Sequence, residues 1–161
     1  MNNSIIVGMA DLNAAKSPCV ITTIGLGSCV GIALYDETTK IGGMAHVMLP
    51  SSKKIKNNSN RAKFVDTAVI DLIAKMKRMG SKPTNLKAKI AGGAQMFSIV
   101  TSNENMKIGD RNIEATLEIL KELKIPIIGK DLGQNYGRTI ELHTIDGKLF
   151  VKTIGHGIKI L

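Results

Sequence analysis

Cys29 and His46 are the residues of this chain whose types and positions are best suited to covalent chemistry. If the fold brings the imidazole next to the thiol, the imidazole can take the thiol proton and leave a thiolate nucleophile. Gly25, Gly27 and Ser28 precede the cysteine, and small residues in a tight turn can present backbone N–H groups to a developing oxyanion. The set predicts attack of a thiolate on a carbonyl-type carbon, although three small residues in a plain turn would give the same pattern.

A β-hairpin is the element that would bring the two side chains together. Residues 29–35 and 41–47 are short apolar segments joined by a polar stretch, a pattern typical of strand, turn and strand. If the loop holds two or four residues centred between positions 37 and 38, Cys29 lies directly opposite His46 on one sheet face. Their Cβ atoms would then be about 5 Å apart. A loop of odd length would place the two residues diagonally.

Each of these residues also has a purely structural interpretation. Free cysteine is among the most buried residue types, and we assign Cys19 to the core for that reason. A single histidine in an apolar strand often serves structure alone, so only the pairing with Cys29 favours a base at His46. His143 and His156 have no such partner in the pattern. With so few ligand-type residues near one another, we expect no metal site.

The glycine-rich stretch does not match a nucleotide-binding motif. Residues 25–31 miss the G-x-G-x-x-G spacing by one position and lead into a strand instead of a helix. The sequence also lacks the Gly-Lys-Ser/Thr ending of a P-loop. We therefore expect no bound cofactor.

Length and composition limit the class of protein. A chain of 161 residues normally forms one domain, which we expect to span residues 1–161. The N-terminus lacks the basic start and apolar core of a secretory signal, and no apolar stretch approaches membrane-spanning length. We therefore expect a cytoplasmic protein without direct membrane insertion. Two cysteines in a reducing compartment exclude a disulfide framework and a four-cysteine zinc site.

The charge of the chain favours an acidic partner. The formal net charge is +9 and the pI is about 9.7. Aromatic residues make up only 3% of the chain, and no block of Lys and Arg forms a basic arm. We therefore do not expect nucleic acid to be that partner.

Strands and helices alternate along the rest of the chain, which indicates a mixed α/β fold. Apolar spacing predicts helices over residues 61–79 and 110–123, with Asp110 capping the second. Short apolar segments predict strands at residues 4–9, 19–24, 86–91, 126–130, 138–144 and 148–154, with a two-residue turn at Asp146-Gly147. Polar residues 50–60 predict an exposed loop directly after the His46 strand, either a lid or recognition surface or a plain connector.

Several blocks of the sequence resemble the CheD family, the chemoreceptor glutamine deamidases of bacterial chemotaxis. Residues 23–29 read Thr-Ile-Gly-Leu-Gly-Ser-Cys, and residues 43–50 read Gly-Met-Ala-His-Val-Met-Leu-Pro. Further blocks extend the resemblance over nearly the whole chain, at residues 89–97, 108–112 and 131–138. In the last block this chain has Gly133-Gln134 where many relatives carry two glycines.

The resemblance implies a site, an activity and a fold. By motif, Cys29 would be the nucleophile, His46 the base and Thr23 the third member of the triad. The residues alone do not choose between Thr23 and its neighbour Thr22. The implied activity is that of a hydrolase, a protein-glutamine glutaminase that converts specific receptor glutamines to glutamate with release of ammonia. The implied fold is a layered β-sandwich-like core with helices packed on it, similar to that of cytotoxic necrotizing factor deamidases.

The resemblance also implies partners and leaves other functions open. The protein substrate would be the cytoplasmic helices of chemoreceptors, and a CheC-type phosphatase would be a second partner. One alternative is a non-enzymatic chemotaxis adaptor that binds receptors and CheC while Cys29 stays idle. Another is a different cysteine amidohydrolase or a transglutaminase-like enzyme that acts on another amide or amine acceptor.

Overall fold

The chain forms ten strands and two α-helices within the part that the structure describes. The computed structural model describes residues 3–96 and 107–161, and Phe97, the last residue of the block at 89–97, lies outside them. In chain order the elements are β1 (Asn3–Ile6), β2 (Asp11–Lys16), β3 (Cys19–Leu26), β4 (Val30–Asp36), β5 (Ile41–Val47), α1 (Val65–Arg78), β6 (Leu86–Gly92), α2 (Ile108–Glu122), β7 (Ile127–Leu132), β8 (Arg138–His143), β9 (Leu149–Thr153) and β10 (Gly157–Ile160).

The strands form two sheets of five. In the first sheet the strand order is β1-β3-β8-β9-β10, and in the second it is β2-β5-β4-β6-β7. The pairs β1–β3 and β6–β7 are parallel, and the other pairs are antiparallel. Within the described residues, no helix has both the length and the apolar character needed to cross a bilayer.

Side chains alternate across β4 and β5 between two hydrophobic clusters. Ile32 and Leu34 join the cluster that includes both helices, whereas Ala33 and Met44 join the cluster between the two sheets. Because both faces of these strands are buried, each segment is a continuous apolar run in the sequence. The layers are therefore first sheet, second sheet and helices, which confirms the predicted mixed α/β class with a sandwich-like core.

Both predicted helices are confirmed, with different starting points. Residues 61–63 form a short 3-10 turn capped by Asn60, and α1 begins only at Val65. Helix α2 begins at Ile108 after Lys107, so the prediction that Asp110 caps it is wrong. Helix α1 packs closely on β5, because a Cβ atom at Gly43 would lie 2.7 Å from Cδ1 of Leu72.

Two strands form that the sequence does not predict, and one predicted turn is different. Strands β2 and β10 were not predicted, since one is poor in large apolar residues and the other is exposed along its whole length. The predicted two-residue turn at Asp146-Gly147 is wrong, because Leu142 pairs with Leu149 and the N–H of Gly147 donates to His143. The connection between β8 and β9 is therefore longer.

The loop between β7 and β8 contains two consecutive residues with a left-handed backbone. Gly133 and Gln134 have φ angles of +78° and +64°. A glutamine adopts this conformation at a cost of about 1–2 kcal/mol, which a glycine would not incur. The loop is held in place because the N–H of Gly133 donates to Gly92 and the carbonyl of Gln134 accepts from Gln95.

Candidate functional site

The hairpin β4–β5 brings Cys29 and His46 to the same side of the second sheet. Gly31 pairs with His46, so Cys29, two residues earlier, is a diagonal neighbour of the histidine. The prediction that Cys29 lies directly opposite His46 is wrong by two residues. An even shift keeps every side chain on its face, and both side chains remain buried between the sheets, with 7% and 1% of their surface exposed.

Asp36 explains the register of this hairpin. It pairs with Ile41 as the last residue of β4, so the loop holds the four residues 37–40. The Asp36 carboxylate accepts hydrogen bonds from the N–H groups of Thr38 and Lys82 and from the hydroxyl of Ser81. Burial raises the pKa of this carboxyl, but the hydrogen-bond donors together outweigh burial and hold the pKa below its usual range. A residue typical of turns therefore extends the strand, because its charge is satisfied there.

Thr23 fixes the proton on the imidazole of His46. The hydroxyl of Thr23 donates to the carbonyl of Val7 at 2.7 Å, which uses its only hydrogen. The Thr23 oxygen also lies 2.7 Å from Nδ1 of His46, so it must accept from a protonated Nδ1. In a neutral imidazole, Nε2 then carries the lone pair. Nε2 is buried and has no hydrogen-bond partner among the described residues.

Burial favours the neutral forms of both reacting groups. It lowers the pKa of His46 below its ordinary value of 6.5. It also raises the pKa of the Cys29 thiol above its ordinary value of 9.0, and the backbone N–H of Cys29 opposes this only in part. Both directions favour a neutral thiol and a neutral imidazole over a thiolate–imidazolium pair in the resting site.

We expect this charge state to be visible as a function of pH. The rate of Cys29 alkylation by iodoacetamide follows the thiolate fraction and should titrate with a pKa above 9.0, as burial of the thiol requires. The His46 ring signals in an NMR titration should change with a midpoint below pH 6.5, because the buried imidazole resists protonation. A thiolate present at neutral pH together with a protonated His46 would contradict this description.

The turn that ends at Cys29 is held by hydrogen bonds to three consecutive backbone carbonyl groups. The carbonyl of Gly27 accepts from the N–H of Ala94, and that of Cys29 accepts from the N–H of Gly93, both at 2.8 Å. The carbonyl of Ser28 accepts from Nδ2 of Asn112 at 3.0 Å. With their carbonyls fixed, the peptide planes of the turn are fixed too, and so are the directions of their N–H groups.

The other predicted residues are distributed around this turn. Strand β3 runs to Leu26, two residues further than predicted, and its register shifts between Thr23 and Leu26. Gly25 lies in that irregular stretch with φ +78° and is exposed, so it is not part of the turn that Gly27 and Ser28 form. Thr22 is only partly buried, whereas Thr23 is fully buried against His46.

Asn112 is the residue at this site that the sequence did not indicate as functional. It is fully buried on α2, and Nδ2 donates to the carbonyls of Ser28 and Met48 at 3.0 and 2.9 Å. The sequence does contain a sign of this position. Asn112 and Thr116 are polar residues at four-residue spacing before Leu120, so they lie on the same helix face as that buried leucine.

The combined groups are those needed for attack on an amide carbonyl. A buried thiol lies near a base whose Nε2 is free, a hydroxyl sets the tautomer of that base, and a rigid turn supplies N–H groups. A groove of about 640 Å³ between residues 50–54 and α2 has none of Thr23, Cys29 and His46 in its lining. The candidate site is therefore separate from that groove.

Comparisons with known proteins give the family context. A family model described as CheD chemotactic sensory transduction matches residues 48–153. The "Probable chemoreceptor glutamine deamidase CheD" of Caldanaerobacter subterraneus subsp. tengcongensis is 57% identical over 95% of this chain and 94% of its own. The "Chemoreceptor glutamine deamidase CheD" of Halalkalibacterium halodurans is 50% identical over 99% of both chains. Among solved structures, the hypothetical protein YfiH of Bacillus licheniformis matches with a TM-score of 0.46 and 15% identity, over 78% of this chain and 50% of its own.

Proposed function

The chain belongs to the CheD family, and we propose that it is a hydrolase that converts glutamine side chains of chemoreceptors to glutamate with release of ammonia. The names of the curated relatives supply the reaction and the substrate class. The observation that carries the proposal is the chain of contacts from Val7 through Thr23 to His46, which leaves Nε2 free to accept a proton. In this proposal residues 1–161 form one deamidase domain that acts in the cytoplasm.

The first half of the reaction forms a thioester. Nε2 of His46 takes the proton of the Cys29 thiol, and the sulfur attacks the carboxamide carbon of a glutamine. The negative charge that develops on the carboxamide oxygen is stabilised by N–H groups of the turn at Ser28 and Cys29. The imidazolium of His46 then gives its proton to the departing nitrogen, which leaves as ammonia.

The second half of the reaction is hydrolysis. Neutral His46 accepts a proton from water, and the resulting hydroxide attacks the γ-glutamyl thioester. The bond to sulfur breaks, the thiol of Cys29 recovers its proton from the imidazolium, and glutamate is released. The pKa directions of both groups suit this cycle, because each half begins from a neutral histidine.

The charge of the protein suits an acidic helical substrate. Lys53, Lys54 and Lys56 are exposed in the loop at residues 50–60, and the net charge of the chain is +9. The end of this loop is linked to the backbone of the site. The side chain of Asn60 donates to the carbonyl of Ala10, and the N–H of Ala10 donates to the backbone carbonyl of His46. We therefore assign the loop to recognition of the receptor helices. A CheC-type phosphatase is proposed as a second partner.

Replacing Thr23 with valine should lower kcat/KM by about 10- to 100-fold, because Nδ1 of His46 loses its hydrogen-bond acceptor. In a fraction of the molecules the proton then moves to Nε2, and the imidazole can no longer act as the base. Valine keeps the shape of the threonine side chain, so the fold should persist. Thr23→Ser keeps the hydroxyl and should stay within about threefold of the wild type. Kinetics of glutamine conversion by all three proteins measure the effect, and equal activity of the valine and serine variants would contradict it.

Mass spectrometry of a purified chemoreceptor cytoplasmic fragment tests the proposed function. The fragment is incubated with the wild-type protein or with a Cys29→Ala variant, and conversion of glutamine to glutamate is mapped to individual sites. Conversion by the wild type alone is the expected result. If neither protein converts any glutamine while both bind the fragment equally well, the deamidase proposal fails and the adaptor function takes its place.

A further inference from the structure

Asn112 connects the two segments that carry the nucleophile and the base. Its Nδ2 donates to the carbonyl of Ser28, the residue before Cys29, and to the carbonyl of Met48, two residues after His46. The side chain is fully buried, and these two bonds join α2 to the ends of both segments. One amide group therefore links the cysteine turn to the end of the histidine strand.

The orientation of this amide is determined by its neighbours. Both partners of Nδ2 are backbone carbonyls, which only accept hydrogen bonds, so the nitrogen must face them. The oxygen, Oδ1, is buried without a hydrogen-bond partner in the described ranges 3–96 and 107–161. A side chain kept only for packing would be better replaced by an apolar one, since that would leave no unpaired acceptor. The two donated hydrogen bonds are therefore what this position supplies.

The hydrogen bond from Asn112 to the carbonyl of Ser28 constrains the peptide group between Ser28 and Cys29. In a trans peptide the C=O and the N–H point in opposite directions. When Asn112 holds the carbonyl of Ser28, it thereby directs the N–H of Cys29 away from α2. A backbone N–H of the nucleophilic residue itself is the kind of donor that stabilises the charge developing on a carbonyl oxygen under attack by that residue.

We propose that Asn112 is a positioning residue that fixes the oxyanion-binding N–H of Cys29. The proposal rests on the deamidase function given above and adds a residue that acts through the backbone. Helix α2 packs closely against the segment that follows β6, since a Cβ atom at Gly109 would lie 2.6 Å from the carbonyl oxygen of Gly93. Gly93 itself holds the carbonyl of Cys29.

Two variants with one matched control separate this role from a general loss of structure. Asn112→Ala removes the side-chain amide, and Asn112→Leu removes it while keeping a similar volume. Thr116→Val is the control, because Thr116 is equally buried one turn further along α2 and its hydroxyl donates only to Asn112's own carbonyl. Each variant is assayed with the chemoreceptor fragment at a temperature where circular dichroism shows it to be folded.

The expected result is a loss of kcat without a loss of thiol reactivity. Both Asn112 variants should lose about 30-fold or more in kcat, with KM within about threefold, as for a weakened oxyanion site. Alkylation of Cys29 by iodoacetamide, followed by peptide mapping, forms no oxyanion and should stay within about threefold of the wild type. Thr116→Val should match the wild type in all three measurements.

Two results would overturn the proposal. An unchanged kcat in both Asn112 variants would show that the amide has no role in the reaction. A fall in alkylation rate equal to the fall in kcat would show that Asn112 maintains the thiol–imidazole pair and not the oxyanion site. A wild-type protein that converts no glutamine is a separate outcome, because it removes the deamidase function on which the proposal rests.

Discussion

Replacing Cys29 with alanine is expected to lower kcat/KM for glutamine conversion by at least about 10⁴-fold, since removal of a nucleophile abolishes the covalent route. His46 and Thr23 keep their hydrogen bond in this variant, so any remaining activity would have to come from direct attack by water. The change removes one buried sulfur atom and should cost only about 1–2 kcal/mol in the free energy of unfolding. Kinetics on the receptor fragment and denaturant unfolding measure the two effects.

Cys19→Ala is the matched control for this experiment. Cys19 is also a free cysteine and is also buried in the cluster between the two sheets, with 5% of its surface exposed. Its sulfur lies near the carbonyl of Val20 and has no contact with the imidazole among the hydrogen bonds described for this chain. We expect a similar loss of stability and full activity. If the Cys29 variant kept its activity, the nucleophile would have to be a different group.

The sequence predicted the elements whose own residues determine their structure. Both helices carry apolar residues at helical spacing, and β4, β5 and β6 are apolar along most of their length. Strands β2 and β10 carry no such signal. Strand β2 forms because its backbone pairs with β5, and β10 forms because its backbone pairs with β9. Pairing of this kind depends on the neighbouring strand, which a local pattern does not contain.

The hairpin register shows the same limit at the candidate site. The sequence placed Asp36 in the turn, where aspartate is common. In the structure it ends β4, because donors from residues 38 and 39 and from the distant Ser81 and Lys82 satisfy its carboxylate. The last two donors lie 45 and 46 residues away in the chain, so no analysis of the hairpin alone could include them.

The remaining parts of the site also depend on contacts between distant segments. The contact of Thr23 with His46 joins the two sheets, and alternation along β3 alone left Thr22 as an equal candidate. Only the resemblance to the CheD family distinguished the two threonines. Asn112 reaches Ser28 across 84 positions, and its polar character on a buried helix face was the one sign of it in the sequence.

Replacing His46 with asparagine is expected to lower kcat/KM by about 10³-fold, within the range that one general acid–base group contributes. Asparagine is chosen because its Nδ2 can take the place of Nδ1 and donate to the hydroxyl of Thr23, while no atom replaces Nε2. The local structure is then kept and only the base is lost. Kinetics on the receptor fragment give the size of the effect, and circular dichroism verifies the fold.

The pH dependence of this variant identifies what has been removed. In the wild type the histidine, whose pKa is lowered below 6.5, deprotonates a thiol whose pKa is raised above 9.0, so activity should be nearly constant from neutral pH to about pH 9. Without His46, hydroxide must deprotonate the thiol, and the residual rate should still be rising at pH 9. His143→Asn is the control, because that histidine lies beside Glu141 and Phe150 with about 29% of its side chain exposed, and it should behave as the wild type. A His46 variant that kept the constant rate would show that another group is the base.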